Sequence, residues 1–340
     1  MLLFSLFSLI AFWAYISNSS VASASALRSR SNSTRLSKIE SMYAWEGFVY
    51  DIEMIQDFTE MKSRGARVVI TFEFCGTGAD VQYYDVLDII TAAGEVGLDI
   101  IPLAWTLPIH AVGQTFGPND TFLIQSVPRI EAVTQAVINN PGPVLAIAID
   151  PRITLYQGDE PLFDNDAGSP AALASYILAV RQNLTLAGLD IPLSISDLAF
   201  GWQSAGNITP VADAVDFFMV NNFPYFAFDA TTGGNESTSF TDFMTDIDYF
   251  ESIADGRPIL VTQTGWPTNE DEFAPNSPAV VASVPSSEGN WDLLDGHCED
   301  YFKTKNMGWM WRSWKDDIDG WGVKYLNGTD KWPWVARTSC

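Results

Sequence analysis

Two segments of the chain carry residues of the kind that move protons or attack electrophilic carbon. The first is Gly158-Asp159-Glu160, just after an apolar run and just before a helical pattern. A carboxyl there, partly withdrawn from water, has its protonated form favoured and can serve as a general acid. A turn carrying two solvated acids fits the same letters, and Asp150 is a rival for the acid role. The second segment is Ile259-Leu260-Val261-Thr262-Gln263-Thr264-Gly265-Trp266-Pro267, an apolar strand ending in a Gly-Trp-Pro turn. Its terminal polar residue, Gln263, is an amide, a weak nucleophile without charge. Between the two lies Asn221-Asn222-Phe223-Pro224-Tyr225-Phe226. Its amides and rings suit a ligand with both hydrogen-bonding groups and apolar faces, or rim packing. Trp311-Arg312-Ser313-Trp314-Lys315-Asp316 adds two cations and one acid near the end of the chain.

Something must bring these segments together. Short apolar runs recur at 45–50, 67–74, 99–105, 144–149, 191–196, 215–220, 258–262 and 308–311. Amphipathic segments at 52–64, 84–96, 128–138, 171–187 and 240–253 separate several of them. Buried parallel strands read as continuous apolar runs, and this alternation predicts an α/β fold, a single (β/α)8 TIM barrel over 43–335. Candidate residues at strand ends then share the C-terminal face. Residues 336–340 read as a tail, and no low-complexity linker divides the chain.

The 340 residues carry 18 basic and 42 acidic side chains, a net charge of −24, which opposes binding to nucleic acid or anionic lipid. Residues 1–26 read as a signal peptide, with an uncleaved anchor as the alternative: an apolar run, then Ala22-Ser23-Ala24-Ser25-Ala26. A flexible Ser/Arg-rich lead-in is expected over 27–42. No later stretch is apolar for long enough to span a membrane, so none is expected after cleavage. Secretion agrees with Asn-x-Ser/Thr acceptors at Asn32, Asn119, Asn183, Asn207, Asn235 and Asn327. With two histidines and three scattered cysteines, neither a metal nor another cofactor is expected. A Cys75–Cys298 bridge is plausible in an oxidising compartment, with Cys340 left over.

The run at 258–268 resembles the nucleophile strand of glycoside hydrolase family 17, the β-1,3-glucanases, with Gln263 where the family has Glu. Gly158-Asp159-Glu160 is similar to the family's Gly-Asn-Glu, which implies Glu160 as acid/base and Asp159 beside the substrate. The block 215–226 is similar to the family's Asn-x-Phe/Tyr-Pro-Phe/Tyr strand end. By this resemblance Asn222, Tyr225, Phe226, Trp266, Trp311 and Asp316 are substrate-binding candidates. Cys75 aligns with a family cysteine. Arg312 and Lys315 fall where the family's last strand has acids, and the second strand lacks its Arg-x-Tyr.

Retaining hydrolysis needs two carboxyl groups about 5 to 5.5 Å apart. Glu160 without a carboxylate at 263 therefore implies a monomeric, secreted cell-wall barrel that binds β-glucan with hydrolysis lost or strongly reduced. An active β-1,3-glucanase or transglycosylase would need a substitute carboxylate, with Glu270, Asp271 and Glu272 just after the Gly-Trp-Pro turn and Asp159 beside the acid as candidates. A structural cell-wall glycoprotein would need no chemistry at all.

Overall fold

The computed structural model describes residues 34–50, 54–71, 83–105, 121–150, 161–163, 165–228, 230, 237–271, 273–316 and 320–340, with the backbone alone at 54, 55, 83–85, 105, 150 and 237. Among the described residues, nine strands form one parallel sheet: β1 (Trp45–Tyr50), β2 (Val68–Thr71), β3 (Asp99–Trp105), β4 (Ile147–Asp150), β5 (Leu193–Ser194), β6 (Ser196–Leu198), β7 (Phe218–Asn221), β8 (Ile259–Thr264) and β9 (Trp309–Trp311). Their order is β5-β4-β3-β2-β1-β9-β8-β7-β6. Only Ile195 separates β5 from β6, so both ends of the sheet lie in one segment. Residues 193–194 pair with β4 and 196–198 with β7, which closes a (β/α)8 barrel.

Strand alternation sorts the core into two layers. Val49, Val68, Ile70, Ile101, Leu103, Ala148, Met219, Leu260 and Met310 fill the barrel interior. Phe48, Val69, Ile100, Ile149, Phe218, Val220 and Val261 face outward and pack with the helix layer. Gly47 is required where β1 meets β2, because a Cβ there would collide with the Val68 carbonyl.

The helices are α1 (Thr34–Glu40), α2 (Met54–Ser63), α3 (Tyr83–Val96), α4 (Val127–Asn139), α5 (Pro170–Leu186), α6 (Ala199–Ser204), α7 (Thr209–Ala214), α8 (Ser237–Ala254), α9 (Val284–Gly296) and α10 (Lys303–Lys305). Cap chemistry sets two of the starts. Ser169 accepts from the Ala172 N–H ahead of Pro170, and Ser283 accepts from the Ser286 N–H ahead of Pro285. Among the described residues, no helix is long and apolar enough to cross a membrane.

Two expectations at the chain ends are corrected. The lead-in expected over 27–42 holds helix α1 in its described part. Its few apolar residues, Leu36, Ile39 and Met42, recur every three positions and pack on the interior cluster. Arg35 fixes the helix by donating to the Val144 and Pro141 carbonyls at 2.7 and 2.8 Å. At the other end, Cys298 is bonded to Cys340, with Cα atoms 6.0 Å apart, and not to Cys75. The tail reaches Cys298 because Lys303 donates to the Cys340 carbonyl at 2.7 Å and Arg67 to that of Thr338 at 3.2 Å. Cys75 lies outside the described residues.

Asn207 and Asn327 are exposed, and each closes a turn onto the threonine two residues on, while Asn183 is half-buried in α5. Asn32, Asn119 and Asn235 lie outside the described residues.

Glu46 on β1 is fully buried. Burial raises its carboxyl from 4.5 to about 7, and Arg67, at 2.6 Å, only partly offsets this. A group protonated more readily in the fold than in the unfolded chain stabilises the fold below its unfolded value, and that contribution is lost as pH rises through about 7. Melting temperature is therefore expected to fall between about pH 5 and 7, and Glu46→Gln to flatten that slope. Parallel pH profiles for the variant and the parent would refute this contribution.

Candidate active site

The position of Gln263 depends on an extra residue in β8. Val220 pairs with Val261, but the next residue of β7, Asn221, pairs with Gln263. On the other side Val261 pairs with Trp309 and Thr264 with Trp311, three steps on β8 against two on β9. Strict alternation would send Gln263 to the helix side with Val261. The bulge turns it instead toward the barrel mouth, as such insertions re-aim side chains. There its Oε1 accepts from Arg312 Nη1 at 3.0 Å. Arg312 follows the inward-facing Met310 by two residues, so alternation brings it to the same place.

Gln263 is 1% exposed and Arg312 5%. Since the guanidinium donates to the amide oxygen, the orientation of the amide is set, and Nε2 has no hydrogen-bond partner among the described residues. Below the pair, Ser196 Oγ donates to Asn221 Oδ1 at 2.5 Å and lies 2.9 Å from Thr262 Oγ1, a polar floor across three strands. The rings of Phe223 and Trp321 lie 6.0 and 5.9 Å from the Arg312 guanidinium and hold the cation from the side. The centre thus presents a cation and an amide together at the barrel mouth.

The second cation near this end of the barrel, Lys315, is engaged as well. Lys315 donates to Asp57 Oδ2 at 2.7 Å, and Tyr50 donates to the same oxygen at 2.9 Å. Its charge is matched by α2.

Most of the expected rim residues lie beneath the surface. Trp266 is fully buried and donates to the Val281 carbonyl at 2.9 Å. Tyr225 is fully buried and donates to that of Phe273 at 2.9 Å; burial, then the charge of Glu270, raises its phenol above the usual range. Trp311 is fully buried beside Trp291 and Trp332. Asn222 donates to the Phe243 carbonyl of α8 at 2.9 Å, and its backbone N–H bonds the Gln263 carbonyl at 2.9 Å, which steadies the bulge. Phe226 is half-buried, 5.9 Å from Trp321. Asp316 accepts from Lys331 at 2.6 Å and from the Gly322 N–H at 3.0 Å. Glu160, Asp159 and Glu272 lie outside the described residues, as does the side chain of Asp150.

The segment that follows Glu160 is described from Pro161. Leu162 N–H donates to Asp197 Oδ2 at 2.7 Å, which docks this loop on the end of β6. Asp197 escapes a reading by apolar runs because it stands one residue past the run that ends at Ser196. Phe223 and Trp321 were within reach of a sequence reading, since Phe223 lies inside the motif at 221–226 and Trp321 shortly after the one at 311–316. Their convergence on Arg312 was not.

Residues 153–318, just under half of the chain, match the BtgE/BtgC glycoside hydrolase domain. Among curated proteins, a probable glucan endo-1,3-beta-glucosidase of Emericella nidulans is 26% identical over 172 residues, 47% of this chain and 35% of that protein. Its counterpart in Aspergillus terreus is 29% identical over 124 residues, 36% of this chain and 24% of that protein. The matches thus span about a third or less of those relatives. A family 17 β-1,3-glucanosyltransferase from Rhizomucor miehei superposes with a TM-score of 0.63 at 20% identity, over 87% of this chain and 98% of that one. An endo-laminarinase from Formosa does so at 0.60 and 13% identity, over 84% of each. At these identities the structures establish the fold, a TIM barrel.

Proposed function

We propose that this protein is a secreted, monomeric cell-wall barrel that binds β-1,3-glucan and has lost most or all hydrolytic activity. Three lines support this reading: the curated relatives named for glucan endo-1,3-beta-glucosidase activity, the family 17 neighbour, and the match over 153–318 that contains both 160 and 263. The observation that carries it is the Gln263–Arg312 contact at 3.0 Å. With Glu160 as acid/base, a glycosyl intermediate still needs a carboxylate at 263, and an oxocarbenium-like transition state finds a guanidinium where it needs negative charge. Removing one positioned catalytic carboxylate costs several powers of ten in rate, each decade being about 1.4 kcal/mol.

The described candidates for a substitute carboxylate have little support. Glu270 and Asp271 are exposed, and Asp197 is engaged by the Leu162 N–H. The test incubates purified protein with laminarin and with insoluble β-1,3-glucan, then measures retention on the polymer and new reducing ends. Retention without cleavage is the expected result. Cleavage abolished by Glu160→Gln would establish an active enzyme instead, and the absence of both would leave a structural glycoprotein.

A further inference from the structure

The rings expected to stack on sugar are mostly core, yet two others stand open on the same face. Phe163 is 41% exposed and Phe200 60%, with ring centroids 5.6 Å apart and planes at 60°. Phe163 lies three residues after Glu160, and Phe200 is the second residue of α6, directly beyond β6.

We propose that Phe163 and Phe200 form a stacking subsite for a β-glucan chain that leaves the barrel mouth over the ends of β5 and β6. The subsite rests on the glucan reading above and extends it.

Ladder register gives its position. Leu198 is level with Asn221, and Asn221 with Gln263. Phe200 therefore begins two residues above the level of Gln263 and two strand spacings away, roughly 10 Å along the sheet. A single sugar ring does not bridge that gap, whereas an oligosaccharide does.

The pair is held firmly. Leu162 N–H is bonded to Asp197, one residue before Phe163. Gly201 allows α6 to approach, since a Cβ there would strike Asp197 Oδ1 and come within 3.0 Å of Phe163 Cβ. Rings fixed in place lose little freedom when a ligand stacks on them. Their exposed area falls far short of the roughly 1,200 Å2 in total that a specific protein–protein contact needs, so a second copy is not the fitting occupant. The net charge of −24 disfavours an anionic polymer and leaves a neutral glucan.

The experiment measures laminarihexaose binding by calorimetry for the parent, Phe163→Ala/Phe200→Ala, Phe200→Ala and Phe200→Trp, and parent retention on insoluble β-1,3-glucan. The double variant is expected to bind the hexasaccharide about tenfold more weakly and Phe200→Ala several-fold more weakly, while Phe200→Trp binds at least as well as the parent. Phe200 is exposed enough for its single variants to fold even if the double variant does not. Parent-like affinity in Phe200→Ala and the double variant overturns the subsite and leaves the glucan reading standing. A parent that neither binds hexasaccharide nor is retained overturns both. A parent dimer that the double variant dissolves, with glucan affinity unchanged, would assign the rings to self-association and also overturn the subsite.

Discussion

Gln263→Glu is expected to yield at most weak laminarin hydrolysis, well under a hundredth of that of the double variant Gln263→Glu/Arg312→Glu. The reason is the buried neighbour. A carboxylate at 263 would inherit the contact that the amide oxygen makes now, 3.0 Å from Arg312 Nη1. In a site this dry the ion pair holds the carboxylate ionised but engages its lone pairs, and the cation opposes the positive charge that develops on the sugar. Lys315 is paired with Asp57 of α2. Replacing Arg312 as well removes the fixed cation and gives back the acid that the resemblance places there. Reducing-end release, with trapping of a glycosyl-enzyme by a 2-fluoro sugar, measures both variants. Full activity in the single variant would show that Arg312 does not govern the site.

The barrel was legible because its strands are nearly continuous apolar runs. β1 and β3 coincide with the runs at 45–50 and 99–105. The runs at 144 and 215 begin about three residues before β4 and β7, since Val144, Leu145, Ala146, Val215 and Phe217 are buried before the ladder starts. Burial, not pairing, is what apolar letters report. The same limit hid α9, whose buried face includes Ser286, Ser287 and Asn290. It also misplaced Tyr225 and Trp266, where aromatic letters at a turn suggested a rim and the structure packs them beneath it.

At the site, the resemblance marked Gln263, Arg312 and Lys315 as departures from the family pattern but did not show where they point. No pattern in 259–264 announces the β8 bulge, yet that bulge turns Gln263 toward Arg312. The opposite holds for Lys315, whose charge was visible while its partner Asp57, 258 residues away, was not. Long-range pairing of this kind depends on strand register and helix placement, which single letters do not encode.

Lys331→Met is expected to destabilise the protein by about 3 kcal/mol, the low end for breaking a buried ion pair. That corresponds to a melting temperature lower by roughly 5 to 10 °C in a domain of this size. The Lys331 side chain is 0% exposed and its ammonium is well satisfied. It donates to Asp316 at 2.6 Å, to Thr268 Oγ1 at 2.8 Å and to the Gly320 carbonyl at 3.1 Å. These partners come from the segments that follow β8 and β9, so one cation ties both to the C-terminal stretch. Thr268 N–H also bonds the Gly320 carbonyl at 2.8 Å, and the adjacent Trp321 flanks Arg312. Methionine fills most of the volume but leaves the Asp316 carboxylate, 12% exposed, short of a counter-charge. A second change to remove that acid, Lys331→Met/Asp316→Leu, is therefore expected to recover part of the loss, because an apolar pair replaces a buried ionic one without a stranded charge. Differential scanning fluorimetry of the two variants gives the comparison. A shift under about 1 °C in the single variant would mean that this ammonium is not holding the two segments together. With the clamp released, Trp321 and Arg312 lose a fixed support, so glucan affinity is expected to fall together with the melting temperature.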